Sequence, residues 1–259
     1  MPLHSKRPSR LRRLIQSVPI IVLLLGLSTF ANSAERTGLW HVVQQCVLLQ
    51  RLTNLTFPCT AVEQPHDGSV GSVLLKSPRS KTEFLLMPAV AILGIEDPAA
   101  RTPSATALWQ KAWADRSEID TLIGRQLPRE DIGLAVNSET TRTQDQLHIH
   151  IECTSPRVAQ EVAARAPLPE VGWQGPQRIG TVDYWLMSVE ADDLSTVDVI
   201  GRVAALVSAH SESMAATNIA VLGATLPGGR AGFYILANTT NQPSEDLLDH
   251  DCAAANQLP

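Results

Sequence analysis

Residues 146–153 read QLHIHIEC, an unbroken alternation of polar and apolar side chains. In a strand, successive side chains point to opposite faces, so Leu147, Ile149 and Ile151 share one face and Gln146, His148, His150 and Glu152 the other. An apolar row of this kind is stable only against a core, which commits the chain to a sheet with at least one covered face. The two imidazoles then stand about 6.6 Å apart along a rigid mount.

The remaining segments read as a mixture of strands and helices. Residues 38–54 predict a helix with Trp40, Val43, Val47 and Leu48 on one side, and 105–124 a helix with a stripe of Leu108, Trp109, Ala112 and Trp113, ended by Gly124. VGSVLLKS (70–77) and TEFLLMP (82–88), joined by PRSK, form a hairpin, and DIGLAVNS (131–138) pairs with 146–153 around a polar loop. Helices over 156–166 and 196–209, a strand over 182–191 and two strands flanking LPGG complete the chain. With no internal repeat or low-complexity linker, residues from about 38 to 255 are expected to form one α+β unit.

Five of the 21 basic residues fall in the first 13 positions, and the uncharged, mostly apolar run LIQSVPIIVLLLGLSTFA (14–31) follows. This is the pattern of an export signal, with the basic head on the cytoplasmic side. The expectation is an uncleaved anchor over residues 1–34, with a cleaved signal peptide as the alternative. It places residues 35–259 at the periplasmic side of a bacterial inner membrane, as a single-pass protein. The other 16 basic residues face 26 acidic ones, which argues against a nucleic-acid partner. Four cysteines, Cys46, Cys59, Cys153 and Cys252, suggest two disulfides in an exported domain, with three pairings open. Cys46–Cys59 is the local choice and leaves Cys153–Cys252. The cysteine spacing supplies no zinc site.

Three readings compete for the histidine pair. Both rings can simply face solvent. They can bind a metal with Glu152 or a distant acid, although His41, His66 and His210 have no surroundings that recruit them as a third ligand. Or one neutral imidazole attacks phosphorus, giving a labile phosphoramidate and splitting one hard substitution into two easier ones.

The order TEFLLMP then GIEDP, the tryptophan helix LWQKAWADR, AVNSETTRTQDQLHIHIEC and the terminal DHDC resembles the histidine-triad superfamily, in the branch of bacterial CDP-diacylglycerol pyrophosphatases. The resemblance covers nearly all of the chain after the basic and apolar N terminus. It implies a HIT-like antiparallel sheet with packed helices, elaborated in the C-terminal third, and hydrolysis of CDP-diacylglycerol to CMP and phosphatidate. It further implies that His148 is the nucleophile and that His150 bonds the phosphate or fixes the nucleophile. Gln146 stands where the family's first histidine does, an orienting role. Asn137 matches a loop asparagine near the phosphate, Thr143 a hydroxyl facing the leaving oxygen, and Arg142 is a further phosphate-binding candidate. No cofactor and no metal are expected. The expected partners are the lipid substrate in the bilayer and, as in many relatives, a second copy of the chain. The competing functions are a hydrolase of soluble dinucleotides or nucleotide sugars and a non-catalytic module binding anionic lipid.

Overall fold

The computed structural model describes residues 36–165 and 172–256. Its strands are β1 (Ala61–Glu63), β2 (Ser72–Lys76), β3 (Phe84–Met87), β4 (Ile132–Val136), β5 (Ile149–Cys153), β6 (Gln174–Ile179), β7 (Val182–Glu190), β8 (Asn218–Leu226) and β9 (Arg230–Asn238). Its α-helices are α1 (Gly38–Thr53), α2 (Pro103–Ala114), α3 (Ser117–Ile123), α4 (Pro156–Ala163) and α5 (Val199–Ala209). The strands join in one sheet, in the order β1-β2-β3-β5-β4-β8-β9-β7-β6, and every neighbouring pair is antiparallel. The α+β class holds. The β2–β3 hairpin and the pairing of β4 with β5 stand where the alternation puts them.

Each face of the sheet is covered differently. Ile149 and Ile151 of β5, Leu134 of β4 and Ile219 of β8 belong to a large apolar core that includes Trp109 and Trp113 of α2, Ile119 of α3 and Val203 of α5. On the other face, α1 covers one end of the sheet through Val43 and Cys46 against Val73 and Met87. There α4 covers the opposite end through Val158 and Val162, with Leu186, Ala220, Leu222 and Leu236. His150 is level with Leu85 of β3 and Ala135 of β4, so it projects from this second face, in the interval between α1 and α4. The segment after β9 closes this interval, with Leu247 in the α4 cluster and Leu248 bridged to Thr154. Gly133, level with Glu152, lets it pass: a Cβ there would sit 2.7 Å from a Leu248 methyl and 2.9 Å from one of Leu222.

Local chemistry explains the helix ends. The Thr102 hydroxyl accepts the Ala105 N–H and Pro103 takes the first turn of α2, where its missing N–H costs nothing. The helix expected over 105–124 is divided. The Arg116 guanidinium donates to the Trp113 carbonyl, and the chain restarts as α3, which Gly124 ends at φ 73°. In α1, Val43 and Cys46 are buried, whereas Leu48 is 57% exposed, because the Cys46–Cys59 bond turns the Cys46 side toward β2 and β3. Both disulfides form in the anticipated pairing, with Cα–Cα distances of 6.1 Å for Cys46–Cys59 and 5.2 Å for Cys153–Cys252.

The expected single-pass placement in the inner membrane is corrected. Among the described residues no helix is long and apolar enough to cross a membrane. The longest, α1, has 16 residues, short of the ~20 a bilayer core requires. Residues 14–31, which prompted the expectation, lie outside the described residues.

Candidate active site

His148 immediately precedes β5 and His150 lies within it, and their rings tilt against each other at 57° with centroids 4.9 Å apart. The polar side of the 146–153 stretch is no solvent-facing surface: Gln146, His148, His150 and Glu152 are all buried. Buried polar groups need partners, and these four have quite different ones.

Nδ1 of His148 lies 2.7 Å from the Gln146 carbonyl oxygen. A carbonyl only accepts, so Nδ1 carries the proton and a neutral ring keeps its lone pair on Nε2. The ring is neutral at ordinary pH. Burial, then the charge of His150, push its pKa down to about 4, against the raising effects of the Gln146 carbonyl and Glu83.

His150 is set the opposite way. Its Nδ1 donates to Oε1 of Glu83 at 2.7 Å, and its Nε2 is 3.1 Å from Oε2 of Glu245. Burial alone would lower its pKa; the Glu83 bond and the charges of Glu245, Glu83 and Glu152 outweigh it and raise the value above the ordinary one. Burial likewise opposes ionisation of Glu83, but the bond to His150 and its charge win and hold that carboxyl down to about 2. One side of β5 therefore carries an imidazole held neutral beside one that holds its proton more tightly than usual.

Gln146 works through both ends. Its carbonyl orients His148, while its side-chain amide donates to the Pro88 and Val90 carbonyls at 3.1 and 3.0 Å. That amide pins the segment after β3 and holds no histidine. Oδ1 of Asn137 accepts the Glu245 N–H at 3.3 Å, tying the end of β4 to the segment that supplies Glu245. Arg142 is buried, paired with Glu96 at 2.8 Å and Asp145 at 3.3 Å, and its Nη1 has no hydrogen-bond partner. Its charge is among those that depress the His148 pKa. Thr143 is exposed, and no contact brings its hydroxyl to the histidines.

The loop 138–145 is held by groups the sequence does not flag. Oδ1 of Asn218, at the start of β8, accepts the Ser138 N–H at 2.8 Å and the Thr141 hydroxyl at 2.6 Å. Arg36, ahead of α1, grips both carboxylate oxygens of Asp145 at 2.8 and 2.6 Å. Glu83, Glu245 and His250 are the other unforeseen members, and they join Glu152, which shares the polar face of the histidines. Glu152 accepts from the Ser80 and Thr82 hydroxyls and meets Nδ1 of His250 at 2.6 Å. Two sets, Glu83–Glu152–His250 and Glu83–His150–Glu245, bring possible ligand atoms within 4.8 Å of one another. Neither includes His148.

Such an arrangement sets an unprotonated imidazole nitrogen beside the N–H donors of His150 and Arg142, a combination chemically suited to an anionic phosphorus centre. Comparison with known proteins gives the matching result. Residues 34–256 match the family described as CDP-diacylglycerol pyrophosphatase. A protein of Yersinia pestis named CDP-diacylglycerol pyrophosphatase is 31% identical over 256 residues, covering 96% of each chain. One of Mycobacterium leprae named as a probable CDP-diacylglycerol pyrophosphatase is 31% identical over 231 residues, 88% of this chain and 84% of the relative. One of Mycobacterium tuberculosis strain H37Ra, with the enzyme's name, is 32% identical over 224 residues, 85% and 84% of the two chains. With the matched span running from just before α1 through the Cys153–Cys252 bond, the chain belongs to the CDP-diacylglycerol pyrophosphatase family.

Proposed function

We propose that residues 35–259 act as one catalytic unit that hydrolyses the diphosphate bond of CDP-diacylglycerol, with His148 as the nucleophile. Nε2 of His148 attacks the phosphorus on the cytidine side in line with the bridging oxygen. The P–O bond to that oxygen breaks, and phosphatidate leaves with the electron pair. In the cytidylyl-histidine so formed the ring is cationic, and its Nδ1–H stays on the Gln146 carbonyl. Water then attacks phosphorus, the P–N bond breaks, CMP leaves, and the two protons of the water end on the products and solvent. The net reaction consumes one water.

The observation that carries this reading is the Nδ1···O contact at 2.7 Å, which commits the remaining nitrogen of a neutral ring to act as a base or nucleophile. His150 and Arg142 supply positive charge for the phosphoryl oxygens, and Asn137 positions the Glu245 segment beside them. Exposed Thr143 is given no part in the chemistry, and Gln146 acts through its carbonyl. The HIT-like ancestry implied by the triad-like sequence agrees with this assignment.

The test is intact-protein mass spectrometry on samples quenched at alkaline pH just after mixing with CDP-diacylglycerol in detergent micelles. A transient gain of one cytidylyl group, absent in His148→Ala, is expected, together with a fall in turnover of at least about 10³-fold in that variant. Full turnover by purified His148→Ala would sink the covalent route. Loss of activity in EDTA with recovery in zinc would instead favour a metal held by the Glu83–His150–Glu245 set.

A further inference from the structure

Glu83 lies 67 residues from His150 in the sequence and has no part in the attack described above, yet its carboxylate is buried against that ring. We propose that Glu83 is a positioning residue for this reaction: by accepting the Nδ1–H of His150 it holds that ring as an imidazolium with Nε2–H free to meet a phosphoryl oxygen. The inference rests on the reading that His148 attacks a diphosphate.

Three observations point the same way. First, both nitrogens of His150 lie beside carboxylates, but only one bond is made. Nδ1 is satisfied by Glu83, whereas Nε2, 3.1 Å from Glu245, is not aligned with it and stays without a hydrogen-bond partner. A buried N–H left open in this way is a donor waiting for an acceptor. Second, the two carboxylates differ in burial. The Glu83 side chain is 6% exposed and that of Glu245 32%, so the first is a fixture and the second can yield to an incoming phosphate.

Third, Glu83 is maintained at evident cost. It faces Glu152 closely enough to share a cluster with it and His250, and two buried like charges side by side disfavour the fold. The protein sets an imidazole against each carboxylate, His150 on Glu83 at 2.7 Å and His250 on Glu152 at 2.6 Å. Hydroxyls of Ser80 and Thr82 bind Glu152. An apolar pair in the same space would serve stability as well, so the arrangement is explained by what it does to His150. The charged groups acting on that ring are Glu83 from beside β3, Glu152 on β5 and Glu245 from the segment after β9, while neighbouring His148 is neutral. Ala135 of β4, level with His150, contributes none.

Glu83→Gln tests this, because its amide oxygen still accepts from Nδ1 while the charge is gone. Turnover needs protonated His150, so activity is lost as pH rises through the pKa of that ring. In Glu83→Gln this upper limb of the kcat/KM profile is expected to move about one to two pH units lower, with about 10²-fold less activity at pH 8. Glu83→Asp, which keeps the charge, is expected to return the limb toward its original position. An unmoved limb in Glu83→Gln, with only lower thermal stability, would overturn the proposal by reducing Glu83 to a packing role. Should Glu83→Gln fail to fold, the unaltered protein decides: nitrogen-15 spectra, assigned with His150→Asn, are expected to show both His150 nitrogens protonated at pH 7, and a neutral ring would overturn it. Failure of the underlying reading looks different, since it appears as turnover surviving in His148→Ala.

Discussion

The two sides of the 146–153 stretch are equally buried and do different work. Leu147, Ile149 and Ile151 enter an apolar core in which the neighbours are interchangeable hydrocarbon. Behind the same backbone, Gln146, His148, His150 and Glu152 have specific polar partners: two carbonyls for Gln146, a carbonyl for His148, a carboxylate for His150, and two hydroxyls and an imidazole for Glu152. Burial on the first side supplies stability and rigidity. On the second it supplies a desolvated setting in which burial and the charges of neighbouring groups together set each ring's protonation. Adjacent imidazoles thereby acquire opposite characters, His148 pushed down to about 4 and His150 raised.

Mutating the apolar side gives the largest change in stability. Ile151 is fully buried, and Ile151→Ala is expected to cost about 2–5 kcal/mol in urea unfolding. The surviving folded protein should keep both limbs of its pH–activity profile where they are. A displaced limb would break the comparison by showing that the core also tunes the histidines.

On the polar side the expected signature is pH dependence. The folded-state pKa of His148, about 4, lies below the ordinary value of 6.5, so between these values the unfolded chain binds more protons. His148 therefore makes stability fall as pH drops from about 6.5 to 4, by up to about 3 kcal/mol. His150 acts in the reverse sense: its raised pKa contributes stability that is present below the unfolded value and lost as pH rises through the folded one. In His148→Asn, whose amide can still donate to the Gln146 carbonyl, the acid-side loss should shrink. Unfolding midpoints measured between pH 4 and 7 check this, and an unchanged slope would remove His148 as its source.

A smaller effect is expected where the loop joins the sheet. Asn218→Ala leaves the Ser138 N–H and the Thr141 hydroxyl without their buried acceptor, at a cost of about 1–3 kcal/mol. Since Asn218 touches neither imidazole, KM should rise while the pH limbs stay put. Unaltered KM would show that the loop needs no such tether to bind substrate.

Much of the scaffold was legible because its signals are local. Alternation over five to nine residues marks a strand, and the spacing of Leu108, Trp109, Ala112 and Trp113 marks the buried stripe of α2. Gly124 marks a left-handed cap. The strands missed were β1 and β6, one only three residues long and the other interrupted by Pro176. The division between α2 and α3 was also hidden, since it depends on a side chain reaching back to a carbonyl. Of the site, the histidines and the loop were visible as a motif, but not that Thr143 is exposed while Arg142 is drawn inward by its pairs with Glu96 and Asp145.

What the sequence determined by itself is the mount: alternating residues that must lie on a covered sheet, a helix stripe with a fixed period, and cysteines in a number that pairs. These follow from backbone periodicity and the cost of exposing apolar surface, which act over a few residues. Only the tertiary structure decided what the histidines are. Glu83 comes from the start of a neighbouring strand, Glu245 from the segment folded back after β9, and His250 from a tail held near β5 by Cys153–Cys252. A carboxylate alters a proton's affinity through distance and dielectric rather than through sequence separation, so the charge states of His148 and His150 exist only once the sheet and its tail have assembled.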